Sequence, residues 1–243
     1  MKARLKWRRE GWKRRRKEKL MEIREAVQAR QSIRAFQRKP VPRAVLERVL
    51  EGALRAPSWG NTQPWQFTVV GGEVLEKIRE ECVALASRGV MPEPELAFPS
   101  SFDEPLKSRY KGLGRGLYDA LGIAREDKAA RNAHFMEMMG FFGAPNLLYL
   151  HFRREFNHYA FLDGGLILQT IALLALEERL GTCILAVSVG YPQVVRKYAE
   201  IPEDQVLVMG VALGYPQPDH PANRFRSDRG KLEEFVRFVG VEG

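Results

Sequence analysis

Arg55-Ala56-Pro57-Ser58-Trp59-Gly60-Asn61-Thr62-Gln63-Pro64-Trp65-Gln66-Phe67-Thr68-Val69-Val70 is the stretch on which the fold turns. Its first half gathers Pro, Ser, Gly and Asn, which favour turns and leave backbone polar groups free to bond elsewhere. Its second half, Gln66–Val70, reads as a strand, ended by Gly71-Gly72. Upstream, Val45, Leu46, Val49, Leu50, Ala53 and Leu54 form a helical stripe that Pro57 stops. Downstream, Val74, Leu75, Ile78 and Cys82 repeat the helical spacing. A strand set between two amphipathic helices predicts a sheet with helices laid against it.

The rest of the chain continues the alternation. Ile23, Ala26 and Val27 give a short helix from Met21 to about Arg30, and Pro40 and Pro42 punctuate the turn after it. A helix is expected over 125–140, a buried strand over Asn146–Phe152, and a long apolar helix over 159–180 closed by Gly181. Thr182–Val187 and Gln205–Leu213 read as buried strands with a short helix near 192–199 between them. An amphipathic turn follows near Leu232–Phe238. Residues 88–122 hold Pro92, Pro94, Pro99 and Pro105, then Gly112, Gly114 and Gly116, which predict a long loop or lid. Interleaved strands and helices without an internal repeat argue for α/β or α+β.

Composition narrows the class. The chain has 243 residues, 45% hydrophobic and 28% charged, which excludes disorder, collagen-like repeats and a disulfide scaffold. Its longest apolar stretch, Leu166–Leu176, is broken by Gln169 and is expected to be too short to span a bilayer. Two cysteines, Cys82 and Cys183, lack CxxC spacing and suit a reducing, cytoplasmic setting. The net charge of +9 belongs to residues 1–20, which carry 11 Lys or Arg and 2 Glu, leaving 28 of each sign in residues 21–243. The run Lys13–Lys17 with Trp7 and Trp12 could attract nucleic acid or an anionic membrane. It lacks the apolar core of a secretory signal and has no Ser or Thr, so residues 1–20 read as a solvated basic extension, or as sequence upstream of a start at Met21. Residues 21–243 read as one domain.

Chemistry enters with Arg30-Gln31-Ser32-Ile33-Arg34. In an extended segment positions 30, 32 and 34 face one way, so two guanidiniums and a hydroxyl converge, a set suited to a phosphate. A solvated strand edge would present the same spacing. Asn61 and Gln63 offer amides that match the edge of a planar heterocycle. His151 and His158 resemble a metal spacing, but the segment leaves a strand without convergent geometry, so no metal is expected. Gly112-x-Gly114-x-Gly116 follows no predicted strand and is no dinucleotide fingerprint. Cys183 reads as a small buried hydrophobe.

Arg30-Gln31-Ser32-Ile33-Arg34-Ala35-Phe36, followed by the 55–70 stretch, resembles the nitroreductase family of FMN-dependent oxidoreductases, whose pattern is R-x-S-x-R-x-F and then A-P-S-x-x-N-x-Q-P-W-x-F. The likeness continues through Asp163-Gly164-Gly165, Leu180-Gly181-Thr182-Cys183 and Ala212-Leu213-Gly214-Tyr215-Pro216, over residues 21–240. The resemblance implies an α+β fold with a central, mostly antiparallel mixed sheet covered by helices, assembled as a homodimer with FMN at the subunit interface. It implies that Arg30 and Ser32 hold the FMN phosphate with Gln31 beside them. Arg34 would reach the N1/C2 edge of the flavin, where a cation favours the reduced ring. Pro57 and Ser58 would line the ring or ribityl chain, Asn61 would bind the pyrimidine edge, and backbone near Leu185–Ala186 would face N5. A C-terminal arginine completes the phosphate site in the family; Arg229 matches it best, with Lys231 in place of the usual proline, and Arg226 is the alternative.

The implied reaction passes hydride from NADH or NADPH through flavin N5 to an electron-poor small-molecule acceptor, a nitroaromatic or quinone, by ping-pong turnover. Gly122–Asp127 and Asn223-Arg224-Phe225-Arg226 look most like nitrobenzoate-type members, with substrate choice expected in residues 88–145 and Trp59. Deiodinase-like or flavin-fragmenting relatives would share the same FMN residues. A flavoprotein tethered to nucleic acid or membrane by its basic arm, and a binder that has lost flavin, complete the alternatives.

Overall fold

The computed structural model describes residues 21–241, so the basic extension lies outside the described residues. Four strands form one sheet in the order β1-β2-β4-β3: β1 (Gln66–Gly71), β2 (Asn146–Arg153), β3 (Gly181–Leu185) and β4 (Gln205–Gly214). Every neighbouring pair is antiparallel, with a bulge in β4 at Val208, opposite Leu150 and His151 of β2. The parallel element of the expected mixed sheet is reduced to one bridge, Ser32 to Thr182.

Alternation along β2 sorts its side chains into two layers. Leu147 and Tyr149 face α3 (Gly72–Ser87), α5 (Lys128–Met139) and α7 (Pro192–Ala199), meeting Leu75, Ile78, Cys82, Met139 and Val195. Leu148, Leu150 and Phe152 face α2 (Arg43–Ala53) and α6 (Tyr159–Glu177), meeting Val49, Ala53, Ile167, Ile171 and Ala175. By length and composition α6 is the one described helix apolar enough to cross a membrane, which the sequence reading did not expect. Its buried positions, Ala160, Gly164, Ile167, Leu168, Ile171 and Ala175, recur at helical spacing on the side facing the sheet. Tyr159, Leu162 and Leu166 leave an exposed apolar face opposite.

Gly181 does not close α6. Arg179 takes the left-handed conformation (φ 58°), and Leu180 N–H returns to the Ala175 carbonyl at 2.8 Å, a Schellman-type end made without glycine. Gly181 opens β3 instead, where any Cβ would collide with Ile33 and Pro216. The glycine lets the Arg30–Phe36 segment lie against the strand.

Residues 88–122 also differ from the expected loop. Their first part is a strap, fixed by Tyr191 Oη–H to the Val90 carbonyl (2.7 Å), Glu93 N–H to the Gly190 carbonyl (2.8 Å) and Leu207 N–H to Glu95 (2.7 Å). Their second part is a 16-residue helix, α4 (Leu106–Leu121), capped by left-handed Gly122. Its three glycines hid it, because each costs about 1 kcal/mol of helix propensity relative to alanine. No residue of α4 is buried. Gly116 lies against the Phe225 ring, where a Cβ would come within 2.8 Å, while Gly112 and Gly114 face open space. Arg109 pairs with Glu234 at 2.7 Å and stacks over Phe235. α4 therefore rests chiefly on the C-terminal segment.

Candidate active site

Arg30 ends α1 (Ile23–Ala29), and the chain then runs extended beside β3. Ile33 N–H bonds the Thr182 carbonyl at 2.9 Å, and Phe36 bridges Pro216 further on. This fixes Arg30, Ser32 and Arg34 around Cys183. Burial pushes the Cys183 thiol up, while the Arg34 cation, a hydrogen bond with Ser32 and the Arg30 cation pull the other way. Burial and the neighbouring Arg229 cation depress Arg30 from its usual value. The structure thus gathers Arg30, Ser32, Arg34 and Arg229 at the start of the strand that carries Leu185 and leads into Ala186. Burial also raises the Cys82 thiol to about 12, and both cysteines are free.

Arg226 joins the group from the other side. With Arg30 and Gln31 it lines a cavity of about 460 Å³, where Gln31 Oε1 is buried without a partner. Arg226 Nη1–H donates to the Asn223 carbonyl at 3.1 Å, while Arg229 Nη1–H turns back to Ser227 Oγ at 2.7 Å. None of Arg30, Arg34, Arg226 and Arg229 forms an ion pair with a carboxylate among the described residues. Three of these cations, Arg30, Arg226 and Arg229, with the Ser32 hydroxyl fit a phosphate dianion, so the residues present fit FMN at its charged end.

Asn223, part of a nitrobenzoate-type stretch in the sequence, carries a role at this site that the sequence does not predict. It lies on the one-turn helix α8 (Pro221–Arg224) and is 5% exposed. Oδ1 accepts Arg34 N–H at 2.8 Å, and Nδ2–H donates to the carbonyls of Ala35 (2.8 Å) and Gln217 (2.9 Å). Its own carbonyl accepts Gln31 Nε2–H at 2.9 Å. The only sequence signal was Pro221 opening a short helix after His220, whose Nδ1 caps it.

The second motif lies elsewhere. Residues Trp59–Asn61 form a 3₁₀ turn, and Gly60, Asn61 and Gln63 all have positive φ (54°, 57° and 48°). For Asn61 and Gln63 this is strain, held by the surroundings. Trp59 N–H bonds Asp163 Oδ1 at 3.0 Å, with Asp163 only 2% exposed on α6, and Gln63 N–H bonds Ser58 Oγ at 3.0 Å. The Asn61 side chain is exposed, and Trp59 stacks on Tyr159 with both rings more than half exposed. Arg30 sits instead near Ala172 and Leu176 of α6. From Asp163 to Leu176 the helix rises about 20 Å at 1.5 Å per residue. Within one chain, Pro57, Ser58 and Asn61 are not brought to the arginine cluster.

A larger cavity of about 1220 Å³ lies at the end of the sheet where Gly71 of β1 pairs with Asn146 of β2, against α2 and α3; of the expected site residues, only Arg34 lines it. Among the described residues no three of His, Cys, Asp and Glu gather as metal ligands. His151 is a core group: Nδ1 meets Gln205 Oε1 (3.4 Å) and Nε2 meets the Thr68 hydroxyl (3.0 Å).

A family model described as the nitroreductase family matches residues 27–215. The chain belongs to the nitroreductase family. It is 34% identical to a nitrobenzene nitroreductase of Ectopseudomonas oleovorans over 221 residues, covering 89% of this chain and 96% of that one. A 4-nitrobenzoate reductase of Nocardioides sp. is 32% identical, covering 88% of each. Among solved structures, the FMN and NADPH-dependent nitroreductase NfnB of sphigopyxis sp. strain HMH superposes with a TM-score of 0.85 at 39% identity, over 91% of this chain and all of that one. NfnB of Mycobacterium smegmatis, in complex with NADPH, gives a TM-score of 0.84 at 29% identity over 89% of this chain and 97% of that one. The expected family and α+β fold are those found.

Proposed function

We propose that this nitroreductase-family protein is an FMN-dependent NAD(P)H oxidoreductase acting on small electron-poor acceptors of the nitroaromatic or quinone type. The observation that carries the reading is the group of arginines without acidic partners, Arg30, Arg34, Arg226 and Arg229, gathered with Ser32 beside β3. Nitrobenzene and 4-nitrobenzoate reductases among the relatives support the nitroaromatic class, and the NADPH-dependent NfnB structures support NADPH as donor.

When bound, FMN supplies the hydride chemistry in both half-reactions, so the chain need supply no nucleophile. Arg30, Ser32, Arg226 and Arg229 would hold its phosphate. Arg34 would set a fixed cation at the N1/C2 edge, with backbone near Leu185 and Ala186 towards N5. Pro57, Ser58 and Asn61 would serve the pocket of a second copy. The separation of about 20 Å along α6 supports that arrangement, and the exposed Tyr159, Leu162 and Leu166 face is where a two-fold partner would dock. Residues 88–122 would act as a lid, sharing acceptor choice with Trp59, in a cytoplasmic enzyme whose residues 21–243 form one domain.

The test is the visible spectrum of the purified protein before and after anaerobic NADPH or NADH. A flavin band that bleaches supports the reading. A colourless protein that takes up no added FMN defeats it. Sedimentation at the same concentrations should find a dimer.

A further inference from the structure

Asn223 touches both ends of the candidate cofactor site and lines the cavity it shares with Arg30, Gln31 and Arg226. Its amide orientation is fixed by its partners: Oδ1 meets the Arg34 N–H, and Nδ2 meets two carbonyls, so a flipped amide would set oxygen against oxygen. The bond to Arg34 N–H holds the backbone from which the Arg34 side chain leaves. By anchoring its own backbone, the Asn223 side chain also places the Asn223 main-chain carbonyl, which accepts Arg226 Nη1–H and Gln31 Nε2–H. The same residue closes the pairing of the Arg34–Gln37 segment with Tyr215–Gln217, where Gln37 N–H reaches the Tyr215 carbonyl (2.8 Å) and Gln217 N–H the Ala35 carbonyl (3.0 Å).

We propose that Asn223 is a positioning residue of the cofactor site, setting the flavin-edge cation Arg34 and the phosphate cation Arg226 in one fixed relation. The inference rests on the FMN reading above. A plain turn staple would hold the C-terminal segment in place and leave the flavin's properties alone. A positioning residue joins two properties that its partners carry separately: retention of FMN, through Arg226, and ease of flavin reduction, through Arg34. Asn223→Asp is the sharper variant. It keeps an acceptor for Arg34 N–H, loses donation to Ala35 and Gln217, and adds negative charge beside two arginines.

The experiment titrates FMN into deflavinated wild type, Arg34→Gln, Arg226→Gln, Asn223→Ala and Asn223→Asp, and measures the midpoint potential of each FMN-saturated protein against a redox dye. Arg226→Gln is expected to weaken FMN at least tenfold with the potential unchanged, and Arg34→Gln to lower the potential with a smaller loss of affinity. Both Asn223 variants should do both. Circular dichroism and melting separate folding from function, and Asn223→Asp carries the test if Asn223→Ala does not fold. An Asn223 variant that melts earlier but keeps wild-type affinity and potential overturns the proposal. If wild type itself takes up no FMN, the functional reading falls and the proposal with it.

Discussion

The clamp around Asn223 and the helix α4 meet at Phe225, yet they are built by opposite rules. In the clamp the Asn223 amide is buried with its donors and its acceptor engaged, bridging chain segments far apart in sequence. In α4 no residue is buried, three positions are glycine, and the supports are ring contacts at Phe225, Phe235 and His134 and one surface ion pair. A satisfied buried network is rigid because every displacement leaves a group unpaired. A helix weakened by glycine and resting on an exposed salt bridge worth under about 1 kcal/mol opens at little cost. One region fixes charge; the other can move beside it.

The contrast can be broken most heavily at its rigid end. Asn223→Ala should lower stability by about 3 kcal/mol in denaturant titration, since the Arg34 N–H and two carbonyls lose their partner. A loss below about 1 kcal/mol would mean that the clamp is wet and yielding. Arg30→Ala comes next: the free energy of FMN retention should fall by about 2 kcal/mol, the scale of a charged hydrogen bond, as measured by flavin fluorescence. Removing a cation next to Arg229 also relieves repulsion, so stability without FMN should not fall.

At the mobile end the effects are smaller and differ in sign. Gly112→Ala should strengthen α4 by about 1 kcal/mol, because nothing lies near its absent Cβ. Gly116→Ala should instead loosen α4, since the new methyl would displace the Phe225 ring. Hydrogen exchange of the α4 amides reads both; equal signs would show that the Phe225 contact does not hold the helix. A pH series gives the mildest perturbation. Burial holds His151 below the ordinary histidine value, aided by the Arg196 charge and opposed by the bond to Gln205. As pH falls below about 6.5, the unfolded chain takes up a proton that folded His151 resists, so stability falls on the acid side and not above it. Melting curves of wild type and His151→Gln should differ in slope there and run parallel at higher pH.

Much of this was legible in the sequence, for identifiable reasons. The strands were apolar runs, and the Arg30–Arg34 alternation survives as a real convergence because the segment is extended beside Thr182. α4 was not legible, since its glycine spacing reads as loop and only Gly116, against the Phe225 ring, has a packing reason to be glycine. Gly181 was misread because a glycine after a helix usually ends it, whereas here it admits Ile33. Asn223 was hidden by distance: its partner Arg34 is 189 positions away, and nothing local marks the pairing. The Pro57–Asn61 loop was recognised as a motif, but its place along α6 depends on Asp163, which only the fold brings to it.

The length of α6 has a consequence for how defects combine. If each pocket draws its arginines from one chain and its Asn61 loop from the other, a lesion does not stay with the chain that carries it. A protomer disabled by Arg30→Ala, paired with one disabled at Asn61, would form one pocket bearing both faults and one bearing neither. Two preparations inactive alone should then regain activity after being mixed, dissociated and reassembled. Selection on such a protein acts on the pair, and a damaged copy can be rescued by a differently damaged one.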